Sequence, residues 1–406
     1  MLAFRKFKTA FIPDKYKQKG ILHTETKNRK QLSSERVLSH SIEIRDSGCK
    51  ISHCKLNHSK LKTLNDLKSF FTTQLDKKTV MTLNWQTQLS HAFTDVQTLC
   101  LYLNLSIDNL NLSTESIKKF PLLVPLAFAE RIEKGNPSDP LLRQILPIAD
   151  ELKNYTGFSD DPVGDLNSVK QTGLLHKYHG RVLLINTGAC AIHCRYCFRR
   201  NFPYADLQLN KQQENDVLQT IQNDESIQEV ILSGGDPLIL NDARLARLFA
   251  GLEAIPTLKR IRIHTRLPIV LPDRITDEFL MLVKNSTKKI VIVVHCNHAN
   301  EIDDYVALAC QRLKSAGVTL LNQSVLLFGV NDNLEALSDL SKRLFEIDVL
   351  PYYLHFLDKA NGTGHFQVSK EEALALLTAL QNRLSGYLVP KLVTEQAGEL
   401  AKQLVF

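Results

Sequence analysis

Six short apolar runs punctuate the chain beyond residue 180, at 181 to 186 (RVLLIN), 229 to 232 (EVIL), 260 to 264 (RIRIH), 290 to 295 (IVIVVH), 318 to 327 (VTLLNQSVLL) and 350 to 356 (LPYYLHF). Their length and their share of β-branched and aromatic residues predict strands. The stretches between them place apolar residues at helical spacing, as in Leu245, Leu248 and Leu252, or Val306, Leu308, Cys310 and Leu313. Strands alternating with helices predict an α/β fold with a parallel sheet, open or curled toward a barrel. In such folds chemistry collects at the carboxyl ends of the strands. The polar and glycine-rich stretches begin where the apolar runs end.

Upstream, Trp85, Leu89, Phe93 and Val96 sit at helical spacing and are followed by Leu99, Leu101 and Leu103, which predicts a helical segment within 81 to 170. Residues 171 to 390 then form the α/β unit, and 391 to 406 a C-terminal tail. Residues 1 to 80 are rich in Lys, Ser, Thr, His and Asn and show no sustained period of 3.6 or 2. Such a stretch cannot bury enough apolar surface for a core, so it is expected to be an unstructured extension. Met81 offers an alternative translation start, with a nucleic-acid-binding arm or a targeting segment as the rival readings.

Charge sharpens this division. The net charge of +7 is carried by the first 80 residues, with 18 Lys and Arg against 7 Asp and Glu, whereas the remainder holds 32 against 36. The α/β unit therefore lacks the basic excess of a nucleic-acid-binding domain, and nucleic acid is not an expected partner. No apolar run approaches the roughly 18 residues of a membrane span, so no membrane partner is expected either. Cys49, His53, Cys54 and His58 gather potential zinc ligands, but their spacing matches no common finger.

Cys190, Cys194 and Cys197 lie within eight positions in GACAIHCRYCFRR, directly after the first of the six runs. The other five cysteines are scattered, a poor disulfide framework that reads as metal ligation in a reducing, cytoplasmic compartment. Protein thiolates usually hold all four irons of a 4Fe-4S cluster. Three close cysteines leave one iron open to a chelating ligand, as catalytic metal sites keep one position free. Tyr196 and Phe198 would shield the cluster from water.

This spacing is the signature of the radical S-adenosylmethionine superfamily, and further motifs narrow the resemblance. They are LLHKYHGRVLLI (174 to 185), LSGGDPL (232 to 238), RIHTRLPIVLP (262 to 272), HCNHANEI (295 to 302), NQSVLL (322 to 327) and LVPKLVTEQAGELAK (388 to 402). Together, over about residues 85 to 402, they resemble the lysine 2,3-aminomutase family. The shorter chain, without a cysteine-rich C-terminal segment, is most similar to members that serve β-lysylation of elongation factor P. The resemblance implies a partial (β/α)6 TIM-like barrel of the radical S-adenosylmethionine type. It also implies a 4Fe-4S cluster, S-adenosylmethionine and pyridoxal 5′-phosphate as cofactors, and L-lysine as substrate. An external electron donor, and a downstream ligase acting on elongation factor P, are implied as partners.

Residue roles carry over in the same way. Ser233, Gly234, Gly235 and Asp236 match the contact to the amino group of S-adenosylmethionine, and His295 and Gln323 match positions near that cofactor. Lys402 matches the lysine that binds pyridoxal 5′-phosphate as an imine, with Arg181 and Lys177 near its phosphate. Arg199 matches the arginine that grips the substrate carboxylate with its planar fork. Asp358 and Glu395 match the two acidic positions facing the distant ammonium of lysine. Glu395 stands where longer members carry aspartate, and Ala397, Glu399, Leu400 and Ala401 replace a glycine-rich surround of the lysine. A free-standing aminomutase of osmolyte or secondary metabolism and a nonenzymatic iron-sulfur or nucleic-acid-binding protein are the alternatives.

Overall fold

The computed structural model describes residues 83–203 and 209–406. The extension at 1 to 80, with Cys49, His53, Cys54 and His58, lies outside the described residues. Among the described residues ten strands follow one another in sequence order across one sheet. They are β1 (Val169–Gln171), β2 (Leu174–Tyr178), β3 (Arg181–Thr187), β4 (Glu229–Gly234), β5 (Arg260–Thr265), β6 (Lys289–His295), β7 (Thr319–Val325), β8 (Leu350–His355), β9 (Lys391–Thr394) and β10 (Gln403–Leu404). All six expected strands form, as β3 to β8, and successive pairs from β3 to β9 are parallel. The helices Lys211–Gln222, Asp242–Glu253, Asp277–Lys284, Asp304–Ser315, Leu334–Glu346 and Lys370–Arg383 supply the six crossovers.

The sheet is strongly curled. With strands about 4.8 Å apart, seven spacings would separate β2 from β9 by about 34 Å in a flat sheet. Yet Lys177 on β2 reaches Glu395, the residue after β9, at 3.0 Å. The six β/α units thus form a partial barrel closed by side chains rather than by a ladder.

Side chains on a strand alternate between faces, and the two faces here differ in chemistry. Val230, Leu232, Ile261, Ile263, Ile292, Val294 and Leu320 point outward into one core with Leu245, Leu248, Val306, Cys310 and Leu313 of the surrounding helices. The inward positions include Lys177, Ser233, His264, His295, Gln323 and His355. A barrel interior is ordinarily filled by branched apolar side chains, so a polar lumen marks space kept for ligands.

Several sequence expectations shift locally. The spacing of Trp85, Leu89, Phe93 and Val96 does not yield one helix: Trp85–Ser90 and Val96–Tyr102 are separate. Asp95 breaks the run because its carboxylate caps the second helix, accepting from the Thr98 amide at 2.7 Å. Phe93 instead exchanges backbone hydrogen bonds with Val124. Leu308, grouped with the apolar residues at helical spacing, is exposed, while Val306, Cys310 and Leu313 are buried. Ser233 and Gly234 end β4 rather than follow it. Residues 391–394, placed in a C-terminal tail, form the seventh parallel strand.

The N-terminal helices share the barrel's core, from Trp85 to Leu146. No described helix is long and apolar enough to cross a membrane.

Candidate active site at the barrel mouth

The loop after β3 carries Cys190, Cys194 and Cys197, all free thiols. Its arginines hold it in place. Arg195, fully buried, donates to Glu151 at 2.8 Å through Nε and to the Phe120 carbonyl at 2.6 Å. Arg200 reaches the same carboxylate at 2.6 Å and the Gly362 carbonyl at 2.8 Å. The His193 amide donates to the Leu123 carbonyl at 3.0 Å, and its ring stacks on Phe120. The helical segment therefore serves as a bracket for the cysteine loop. Buried charges need such pairing and additional hydrogen bonds to be tolerated.

Among the described residues no three His, Cys, Asp or Glu converge as ligands of one metal ion. A cluster makes a different demand, because each cysteine binds its own iron. Three unpaired thiols on one braced loop fit that donor set. Arg266 adds a hydrogen bond from Nη1 to Cys194 Sγ at 2.7 Å.

Gly234 and Gly235 pack against this loop. Gly234 has φ +121°, and a side-chain carbon there would lie 2.5 Å from the Thr187 carbonyl oxygen; one at Gly235 would collide with the Ala189 carbonyl. Glycine is needed for this close approach of β4 to the cysteine loop. The Asp236 carboxylate faces inward to the protein, accepting from the Leu238 amide at 3.0 Å, Thr265 Oγ1 at 2.7 Å and the Arg266 amide at 2.7 Å. Burial pushes its carboxyl up to about 6, against those hydrogen bonds.

In the lumen one chain of contacts links residues far apart in sequence. Lys402 pairs with Glu395, and Glu395 with Lys177 at 3.0 Å. Lys177 meets Asp165 at 2.5 Å, and Asp165 meets Arg199 Nε at 2.7 Å. Arg199 Nη1 donates to Ser233 Oγ at 3.1 Å. Burial pushes the Glu395 carboxyl up, but Lys402 and Lys177 more than offset that and hold it well below the usual range. Arg181 joins at one remove, its guanidinium 4.5 Å over the Tyr178 ring, whose hydroxyl bonds to Glu395.

Asp358 is the exception, an acidic group with no salt bridge among the described residues. Burial lifts its carboxyl to about 7; Lys402 opposes the rise, and Glu395 and Asp165 add to it. Asp358 and Glu395 line one cavity of about 730 Å³ together with Thr394, Gln396 and Gln403.

On the lumen wall His295 Nε2 lies 3.1 Å from Gln323 Nε2, and the His264 ring meets it edge-on at 5.8 Å. Burial, then the charges of Arg266, Arg199 and Lys402, lower His295 to about 3, so it is neutral. His264 Nε2 and His355 Nε2 are buried with no hydrogen-bond partner among the described residues. Buried polar atoms are normally satisfied. Two orphaned nitrogens under the field of Lys402 fit a polar ligand that occupies the lumen beside that amine, as pyridoxal 5′-phosphate would.

Asp165, Tyr178, His264 and His355 were not singled out by the sequence. Asp165 sits in the loop DDPVGD, where nothing marks it apart from its neighbours.

The model for a 4Fe-4S single cluster domain matches residues 179–265, which hold all three cysteines. An L-lysine 2,3-aminomutase of Escherichia coli (strain K12) is 49% identical over 330 residues, covering 80% of this chain and 96% of that protein. The chain belongs to the lysine 2,3-aminomutase family. Another L-lysine 2,3-aminomutase, from Haemophilus influenzae, is 49% identical over 79% of this chain and 95% of its own length. One from Clostridium subterminale is 33% identical over 78% and 76%. As a member of this family the chain is a radical S-adenosylmethionine isomerase with a 4Fe-4S cluster.

In this aminomutase Asp165 is the junction of the lumen charges. Asp165→Asn removes the carboxylate that pairs with both Lys177 and Arg199, and breaking a buried pair typically costs about 3–5 kcal/mol. Urea unfolding should show a loss of that order. A variant as stable as the parent would show that the junction carries no weight.

Proposed function

We propose that this aminomutase converts L-α-lysine to β-lysine by moving the nitrogen from C2 to C3, with pyridoxal 5′-phosphate held at Lys402. The observation that carries the reading is the unbroken chain from Lys402 through Glu395, Lys177 and Asp165 to Arg199. It ties the amine that would hold the migrating nitrogen to the cation that would hold the substrate carboxylate.

Cys190, Cys194 and Cys197 would hold the cluster, which supplies the one-electron reduction that cleaves S-adenosylmethionine and so starts hydrogen abstraction. Bound pyridoxal 5′-phosphate supplies a carrier for the nitrogen between the two carbons. Ser233, Gly234, Gly235, Asp236, His295 and Gln323, on the strand ends beside the cysteine loop, form the side of the lumen where S-adenosylmethionine would sit. Lys177 and Arg181 place positive charge on the other side, toward a phosphate.

Arg199 grips the lysine carboxylate, its plane fixed by Asp165 and Ser233. Asp358 receives the ε-ammonium in its ionised form. Glu395 adds a second carboxylate whenever the Lys402 amine is engaged elsewhere. Two anions here favour lysine over an acidic amino acid, which they would repel.

The state of Asp358 gives a pH dependence. Its carboxyl is raised to about 7, and only the carboxylate pairs with an ammonium. kcat/KM reports groups of the free enzyme, so kcat/KM for lysine should rise with pH through about 7 and then level. In Asp358→Asn that limb should vanish and KM should increase. A limb that survives the substitution assigns it to another group.

In this reading the enzyme is cytoplasmic, where free thiols persist, and takes electrons from an external donor. Its β-lysine passes to a separate ligase for attachment to elongation factor P, in keeping with the similarity to shorter family members. Anaerobic turnover tests the activity. Reconstituted protein given dithionite, S-adenosylmethionine and lysine should form 5′-deoxyadenosine and β-lysine. 5′-Deoxyadenosine without β-lysine would overturn the assignment of substrate.

A further inference from the structure

Arg266, at the carboxyl end of β5, is held through its amide and both terminal guanidinium nitrogens, while its buried Nε has no partner among the described residues. Its amide donates to Asp236 at 2.7 Å, and Nη2 donates to Gln144 at 2.7 Å and Glu301 at 2.9 Å. Nη1 donates to Cys194 Sγ at 2.7 Å. The guanidinium lies 5.3 Å from the Phe128 ring and 5.6 Å from Tyr196. Arg266 is 5% exposed and Glu301 fully buried, so water screens neither charge.

An arginine keeps its charge in proteins, and a buried charge demands compensation. Glu301 compensates only in part, because the same carboxylate also acts on the buried Arg131, while its Oε1 accepts from Gln144, the Asn297 amide and the His298 amide. The thiolate of a cluster ligand supplies the remaining anion. Cluster potential is set by net charge, hydrogen bonds to the sulfurs and solvent exposure. Reduction adds one negative charge to the cluster, and a fixed cation bonded to a ligand sulfur stabilises the reduced form more than the oxidised one.

We propose that Arg266 is a positioning residue that raises the reduction potential of the cluster through its hydrogen bond to Cys194, with Glu301 as the counter-charge that limits the effect. A purely structural clamp would alter stability and leave the potential alone. The inference rests on the cluster, and needs neither pyridoxal 5′-phosphate nor lysine.

The test is an EPR-monitored redox titration of anaerobically reconstituted full-length protein, with iron and sulfide content and thermal unfolding measured on each variant. Arg266→Gln should move the midpoint to more negative potential, Glu301→Gln to less negative potential, and Arg266→Lys should fall between the parent and Arg266→Gln. A fully loaded Arg266→Gln with the parent's midpoint overturns the proposal, as does a shift of opposite sign. Should Arg266→Gln fail to fold or load, Glu301→Gln decides alone: a less negative midpoint supports the proposal and an unchanged one overturns it. An unmoved midpoint in protein that still makes β-lysine refutes this inference only. A parent that makes no β-lysine, with variants whose midpoints shift as expected, refutes only the substrate assignment.

Discussion

Cys194→Ala is expected to abolish turnover and to strip the protein of iron, sulfide and the visible absorbance of the cluster. The cofactor carries the chemistry that no side chain can perform, so the loss should reach background rather than stop at a partial defect. The fold should survive, because Cys194 only packs against the edge of the core and the loop is braced independently by Arg195 and Arg200 on Glu151. One expected rearrangement is local: Arg266 loses a partner and keeps Glu301. Circular dichroism close to the parent, together with iron analysis near zero, would fit this picture. Iron content unchanged by the substitution would show that the three thiols do not act as a set.

Lys402→Ala should separate the two halves of the lumen. Cluster content and cleavage of S-adenosylmethionine should remain, while retention of pyridoxal 5′-phosphate is lost. β-Lysine formation should fall by at least about a thousandfold, equivalent to about 4 kcal/mol of transition-state stabilisation. Glu395 then keeps only Lys177 as an ion-pair partner, so its carboxyl should titrate closer to the ordinary range. Its low value in the parent contributes stability that is present above the unfolded-state pKa and lost as pH falls through the folded one. Removing Lys402 should reduce that contribution and blunt the acid sensitivity of the fold. Full turnover by the variant, measured by mass spectrometry of the product, would show that another group holds the nitrogen.

The parts legible in the sequence are those whose cause is local. β3 to β8 are strand-length apolar runs, and the cysteine trio declares itself by spacing alone. β9 has only four residues and reads as tail, because its strand character comes from pairing with β8. β1, β2 and β10 are likewise defined by partners rather than by their own composition. The break between Trp85–Ser90 and Val96–Tyr102 was masked by a regular apolar spacing, and Asp95 overrides it through a single cap.

The site divides along the same line. Motif-borne residues such as Lys177, Arg199, Glu395 and Lys402 were named from sequence, and the curled sheet joins them. Asp165 was invisible because its role exists only where Lys177 and Arg199 come together. His264 and His355 lie in runs read as plain strand, and their lumen-facing nitrogens emerge only from the alternation of the pleat. The glycines at 234 and 235 were matched to a ligand contact; the space a Cβ would need there is also taken by the backbone of the cysteine loop, so they help set where that loop lies.

The proposed reaction requires one chain to hold an iron-sulfur cluster and pyridoxal 5′-phosphate around a single lumen. The most direct measurement is the iron, sulfide and pyridoxal content of protein purified anaerobically and reconstituted with all three. About four iron, about four sulfide and one pyridoxal per chain are predicted, the pyridoxal being released by Lys402→Ala and the iron by Cys194→Ala. Well-folded protein that binds no iron would contradict the account at its root.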